Sequence, residues 1–296
     1  MMARLFTPLL LAALWLMSLL PLSVLALLGR MIGRVAWWLV RSRRAVALRN
    51  LQLCLPELSD AQRRAVAREH FALVGRSFTE HGLTWYASRE RLKRMIHVEG
   101  DVTLAERSQR PVMWLVPHFI ALNVAGVAVQ LFQSRPVVSV YQPQRNASFD
   151  AALLRGRARF GNGRLFSRFD SARQLMRAVR EGHAFFNLPD MDFGERDAAF
   201  VPFFGVRAAT LLAPSRLARA LDMVVQPVVA EVLPGGQGYR VRFLDPLPDF
   251  PTDDPMADTA RMNRWIEQEV RRMPAQYLWV HKRFKTRPPG EPPIYD

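Results

Sequence analysis

The longest uninterrupted apolar run lies near the start of the chain. Leu5 to Gly29, LFTPLLLAALWLMSLLPLSVLALLG, is 25 residues without a charge. As one helix it would extend about 37 Å, against roughly 30 Å for the hydrocarbon core of a bilayer. A cleaved leader would have a shorter apolar region and a small-residue cleavage site. A buried core helix would show a polar stripe, which this run barely does. The pattern therefore predicts a retained membrane anchor over residues 1–29, with Pro8 and Pro21 as points of kinking or shortening. Only Arg4 precedes the run, whereas Arg30, Arg34, Arg41, Arg43, Arg44 and Arg49 follow it. By the positive-inside rule the remainder of the chain faces the cytoplasm. In residues 30–53 arginines mix with Trp37, Trp38, Leu39 and Val40. That composition predicts an interfacial basic and aromatic helix over residues 30–53, with a core helix carrying a solvated basic face as the bland alternative.

Beyond residue 53 the pattern changes twice. Ser59-x-x-Gln62 predicts a capping box opening a helix that runs through about Arg76. After Gly100, short apolar runs alternate with helical stretches. Residues 112–116 (VMWLV), 137–141 (VVSVY), 183–188 (HAFFNL), 224–232 (VVQPVVAEV) and 239–244 (YRVRFL) read as strands. Helices are expected from about Ala121, through Arg159, near 211–221 after a long loop, and from Asp258 to Arg272. Pro227 places the 224–232 run at a sheet edge or on a bulge. Strands separated by helices predict an α/β fold, a single mixed-sheet domain flanked by helices over residues 30–296, behind the N-terminal anchoring helix.

Composition narrows the function classes. The chain has 296 residues, 50% hydrophobic and 23% charged, which excludes a disordered polymer. Lys+Arg outnumber Asp+Glu by 41 to 26, for a net charge of +15. Almost all of that positive charge is arginine, whose planar fork suits phosphate and carboxylate. An anionic partner follows, but no nucleic-acid-binding module is recognisable and the apolar N-terminus argues against one. One cysteine, Cys54, excludes an intrachain disulfide and a Cys-rich zinc site. The phosphate-binding G-x-x-x-x-G-K-[ST], G-x-S-x-G and H-E-x-x-H motifs are absent.

Three segments carry candidate chemistry. His118, in WLVPHFIALN, follows the first strand of the α/β part, where open sheets place their sites and where the next helix offers backbone N–H groups to negative charge. Arg157 and Arg159 stand two apart in GRARFG; a solvated basic helix face is the bland alternative. Asp190 and Asp192 stand two apart in LPDMDFGERD. They could orient a base, fix an arginine or bind a cation, although aspartates in such loops are most often turn-formers.

In this order, WLVPHFIALN, VYQPQRN, GRARFG, NLPDMDFG, FVPFFGVRAAT and QYLWVHKRFKTRPPGEPPIY resemble successive blocks of the lipid A late acyltransferases. These are the lauroyl and myristoyl transferases of Gram-negative bacteria, within the lysophospholipid acyltransferase superfamily. The resemblance runs from the N-terminal segment to the last residues, and the block from Tyr277 to Tyr295 is its most specific part.

The resemblance implies secondary acylation: a hydroxyl of a lipid A precursor attacks the thioester of an acyl–acyl carrier protein, without a cofactor or metal. The implied setting is the bacterial inner membrane. It assigns His118 as general base and gives Arg157 an oxyanion or phosphate role, with Arg159, Asp190 and Asp192 as substrate-binding candidates. Acylation of another glycero- or amino-lipid shares the same signature. The superfamily pattern has Asp or Glu five residues after the histidine; here that position is Asn123. An asparagine there is compatible with an engineered substitution, a natural low-activity enzyme, or a homologue that binds lipid without turning it over. If position 123 orients His118, Asn123→Asp should raise the rate.

Overall fold

The computed structural model describes residues 2–161 and 163–295, with side chains from residue 7 onward. Met1 of the expected anchor and Asp296 of the expected domain lie outside the described residues. The uncharged N-terminal run is not one helix. It divides into α1 (Met2–Leu19) and α2 (Leu22–Leu39). Pro21 caps α2, and its ring disfavours helical geometry at the residue before it, so the helix breaks there. The expected boundary at residue 29 thus falls inside α2, the one described helix long and apolar enough to cross a membrane.

After Val40 the chain continues as α3 (Arg41–Cys54), which is a core helix with a solvated basic face. Its Val46, Ala47, Leu51 and Cys54 are buried, and Asn50 Nδ2 donates to the carbonyls of Trp279 and His281 at 2.7 and 2.8 Å. Helix α4 (Asp60–Thr79) opens on the expected capping box, with Ser59 and Gln62 satisfying each other's backbone N–H groups. It lies antiparallel against α2, and no side chains separate the two backbones where they cross. A Cβ on Gly33 would sit 2.1 Å from the Phe71 carbonyl oxygen, and one on Gly75 2.0 Å from that of Gly29. Two short helices, α5 (His81–Tyr86) and α6 (Arg89–Met95), lead into the sheet.

The sheet elements follow in chain order as β1 (Ile96–Gly100), α7 (Leu104–Arg107), β2 (Val112–Leu115), α8 (Leu122–Leu131), β3 (Val137–Tyr141), α9 (Ala147–Arg157), β4 (Arg164–Ser167), α10 (Ala172–Arg180) and β5 (Ala184–Asn187). Then come β6 (Ala198–Phe203), β7 (Val206–Leu211), α11 (Ala213–Ala220), β8 (Val224–Val232), β9 (Tyr239–Phe243) and α12 (Pro255–Arg272). Seven strands form one mixed sheet in the order β1-β9-β8-β2-β5-β3-β4. The β8–β9 pair is antiparallel and the other pairings in this sheet are parallel.

Strand β2 lies mid-sheet, buried along its whole length. Its side chains alternate: Met113 and Leu115 join the core with α10 and α12, while Val112 and Trp114 join the core with α8. Each such fully buried apolar side chain contributes about 1.5–3 kcal/mol.

Two expectations differ from what is observed. Pro227 lies in β8, between β2 and β9, rather than at an edge. It is tolerated because it falls one residue before the β9 pairing begins at Val228, where its carbonyl still accepts from Leu244 N. The segment expected to be a long loop contains the antiparallel hairpin β6–β7. Its two-residue turn places Phe204 at φ 52° and Gly205 at φ 74°, the conformation that matches strand twist.

Candidate active site

Strands β2 and β5 are parallel neighbours in register, with Leu115 opposite Asn187. Three residues beyond each lie His118 and Asp190, so the two loops leave the sheet side by side. His118 Nδ1 lies 2.7 Å from Asp190 Oδ1, and the His118 backbone N–H donates to Oδ2 at 2.9 Å. Asp190 is buried, 1% exposed, while the His118 side chain retains 15%. Burial alone would push the Asp190 pKa up. The opposing charge of His118, its two hydrogen bonds and the charge of Arg283 outweigh that and hold the carboxyl below its usual range. An ionised Asp190 accepts from Nδ1–H, and in the neutral imidazole that tautomer carries the lone pair on Nε2, as a base requires.

The closing segment of the chain walls this pair. Phe119 bridges to Tyr277, the Ile120 N–H donates to Gln276 O, and Leu278 N–H donates to His118 O. The Tyr277 hydroxyl is pushed well above its ordinary pKa, first by burial and then by the charge of Asp190. Arg283 is buried and held by Ala209 O and Thr210 Oγ1, each at 2.7 Å. Asp192 anchors the same segment: its carboxylate accepts from Thr286 N and Oγ1 at 2.7 Å and from Gly194 N at 3.0 Å. Its backbone N–H donates to His281 Nε2 at 3.2 Å. Burial depresses the His281 pKa to about 4, so that ring is a neutral acceptor.

Asn123 stands in the first turn of α8, away from Asp190. Its Nδ2 lies 3.3 Å from His81 Nδ1. Burial, and then the charge of Arg157, lower the His81 pKa to about 4. A neutral His81 ring suits an amide donor. Arg157, at the end of α9, is itself lowered in pKa by burial, though a guanidinium stays charged throughout. Among the described residues it has no hydrogen bond or ion pair. Asn123 and Arg157 line a cavity of about 80 Å³, part of a cleft open to solvent, together with Thr84, Trp85, Val127, Phe186 and Leu188. The cavity lining is mostly apolar; Leu122 and Asn123 open α8, just after the loop that carries His118, and Leu188 lies two residues before Asp190. A half-buried cation without a protein acceptor beside an apolar cavity is a place for an amphipathic anion.

The geometry reassigns several expected residues. Asp190, expected to contact substrate, is the carboxylate on His118, and Asn123 is not. Asp192 is occupied in anchoring the closing segment. Arg159 spends its guanidinium on the carbonyls of Thr84 and Ala87 and stacks on Phe160, 4.1 Å from the ring centroid. It thereby braces α5 against α9. His81 and Tyr277 went unrecognised in the sequence; Tyr277 opens the most specific block, whereas nothing local marks His81. Among the described residues no cluster of three or more His, Cys, Asp or Glu has the placement to hold a metal.

Comparison with known proteins points one way. A family model described as bacterial lipid A biosynthesis acyltransferase matches residues 1–286. The lipid A biosynthesis palmitoleoyltransferase of Escherichia coli K12 is 34% identical over 288 residues, covering 96% of this chain and 92% of that protein. The lauroyltransferase of the same organism is 34% identical over 285 residues, covering 95% and 92%. The myristoyltransferase is 33% identical over 272 residues, covering 90% and 82%. Among solved structures, the 1-acyl-sn-glycerophosphate acyltransferase PlsC of Thermotoga maritima aligns with a TM-score of 0.37 at 12% identity, covering 82% and 94%. That likeness is too distant to carry an argument.

Proposed function

The chain belongs to the bacterial lipid A biosynthesis acyltransferases, and from that membership we propose that it transfers a fatty acyl chain from acyl–acyl carrier protein to a hydroxyl of a lipid A precursor, with His118 as general base. The observation that carries the reading is the Asp190–His118 hydrogen bond, which leaves Nε2 free to accept a proton. Nε2 takes the proton of the acceptor hydroxyl as its oxygen attacks the thioester carbonyl. Negative charge develops on the carbonyl oxygen, and Arg157, a half-buried cation with no acceptor among the described residues, offsets it. The intermediate collapses with cleavage of the C–S bond, and His118 returns the proton to the departing thiolate. Asp190 stabilises the imidazolium between those two steps. The apolar cavity takes the acyl chain, whose burial aligns the carbonyl.

Asn123 motivated the non-catalytic alternative. That motive weakens once a carboxylate reaches His118 from the neighbouring strand. The basic surface suits both an acidic carrier protein and the phosphates of the acceptor. With the arginine-rich flank following the apolar run, the reading places the protein at the bacterial inner membrane, its body facing the cytoplasm. Lipid A mass profiles with and without the gene test the proposal. Loss of one secondary acyl chain is expected; an unchanged profile, together with no transfer in vitro from any acyl–acyl carrier protein, would overturn it.

A further inference from the structure

The loops that carry His118 and Asp190 are both gripped by a third piece of chain, residues 276–286. Its first part pairs with the loop of the base. The Ile120 N–H donates to Gln276 O at 2.8 Å, and the Leu278 N–H donates to His118 O at 3.0 Å. Its later part holds the loop of the carboxylate. His281 Nε2 accepts from the Asp192 N–H at 3.2 Å, and Thr286 donates to the Asp192 carboxylate from N and from Oγ1, each at 2.7 Å. Burial lowers the His281 pKa to about 4, which keeps the ring neutral and able to accept. The segment therefore lies as a splint across the two loops, one grip on each.

Helix α3 holds the splint between its two grips. Asn50 is 1% exposed, and its Nδ2 donates to the carbonyls of Trp279 and His281 at 2.7 and 2.8 Å. Arg43 of the same helix donates to the carbonyl between them, Val280 O, at 3.2 Å. Asn50 Oδ1 accepts from the Tyr295 hydroxyl, which in turn accepts from the Phe284 N–H at 3.1 Å. Among the described residues, every hydrogen bond of the Asn50 side chain thus ends on the closing part of the chain. A buried amide that satisfies successive carbonyls fixes the backbone that carries them. Gln276 fixes the near end as well, by exchanging two hydrogen bonds with the backbone of Val232 at 2.7 and 3.2 Å.

We propose that Asn50 and His281 are positioning residues for acyl transfer, acting through this splint to keep His118 Nδ1 against Asp190 Oδ1. The inference rests on the reading of His118 as the base. The two loops come from separate strands, so the pair keeps its geometry only as far as the loops keep theirs. A displacement of about 1 Å in a reacting geometry can cost about 10² in rate. Asn50 sets where the segment lies, and His281 ties that position to the loop of Asp190.

The test combines kinetics with a second background. His281→Leu removes the acceptor for the Asp192 N–H. Asn50→Asp removes both donors to the segment and keeps the acceptor for Tyr295. The two substitutions lie in different elements, so the test does not hang on one of them folding. Each is assayed below its own unfolding transition, alone and combined with Asp190→Asn. Alone, each should lower kcat about tenfold or more, with KM for donor and acceptor within about twofold of the unaltered protein. His281→Gln, whose Oε1 can still accept, should recover most of the rate. With Asp190→Asn already present, either change should cost less than about twofold more, because residues that act through one another are not additive. A folded variant with kcat near that of the unaltered protein would overturn the proposal. So would a loss of equal size in both backgrounds, or one confined to KM. These outcomes leave the assignment of the base standing, which Asp190→Asn alone reads; full activity of that variant would remove the pair and this proposal together.

Discussion

His118 and Asp190 are 72 positions apart in the chain, yet their side chains meet at 2.7 Å. Each stands three residues beyond the paired residues Leu115 and Asn187 of two adjacent parallel strands. The pairing predicts that Asp190→Asn lowers kcat by about 10²–10⁴, the range expected when a base loses its orienting carboxylate. KM should change little, since the carboxylate acts mainly where imidazolium develops. Asp190→Glu should recover part of the loss. A variant with kcat near that of the unaltered protein would remove Asp190 from the mechanism.

The same geometry reverses the expectation for Asn123→Asp. His118 already has its carboxylate, and Asn123 donates instead to a half-buried, neutral His81. A carboxylate there would compete for Arg157, so the rate should fall. Steady-state acyl transfer checks this, and a tenfold gain would return the orienting role to position 123.

Arg157→Ala should separate activity from stability. Removing one donor to a developing oxyanion costs about 10²–10³ in kcat. Because this half-buried guanidinium makes no hydrogen bond or ion pair among the described residues, its removal should change the unfolding free energy by less than about 0.5 kcal/mol. Parallel measurements of turnover and denaturant unfolding decide. A solvated surface arginine would leave both unchanged.

Gly126 lines the cavity from α8, and a Cβ there would meet nothing within 4 Å. Gly126→Leu should therefore fold and fill the space that an acyl chain would use. Donor preference should shift to shorter chains, with the longest donor disfavoured at least about tenfold, given about 1–3 kcal/mol per methylene. Competition assays with donors of mixed length report the shift, and an unchanged profile would place the chain elsewhere.

Acid should destabilise the protein before its carboxylates titrate. Burial is the leading cause that lowers the pKa values of His70, His81 and His281 to about 4 each. Unfolded, these rings take up protons near pH 6.5. Their contribution to stability is whole above that pH and is lost as pH falls toward 4. For His70 the interval corresponds to roughly 3 kcal/mol. Unfolding free energies measured between pH 7 and 4.5 should fall steeply, and His70→Gln should flatten the slope; a flat profile in the unaltered protein would contradict the buried neutral rings.

Local pattern was enough to identify much of this protein. Short continuous apolar runs marked β2, β3, β5 and β8, because a strand buried on both faces needs an apolar side chain at nearly every position, and alternation marked β9. Ser59 and Gln62 marked the start of α4, because capping is satisfied within four residues. The order of the motif blocks pointed to the family, and His118 stood out through its place after a strand. What local pattern could not supply was which strands are neighbours. The sheet places β5, not the next strand in sequence, beside β2. That adjacency brings Asp190 to His118, while the helical turn after His118 carries Asn123 toward His81. The fit of Gly29 and Gly33 against Gly75 likewise depends on a partner helix 40 or more residues away. Hydropathy along the chain measures how apolar a segment is, and only the tertiary packing decides whether lipid or protein covers each of its faces.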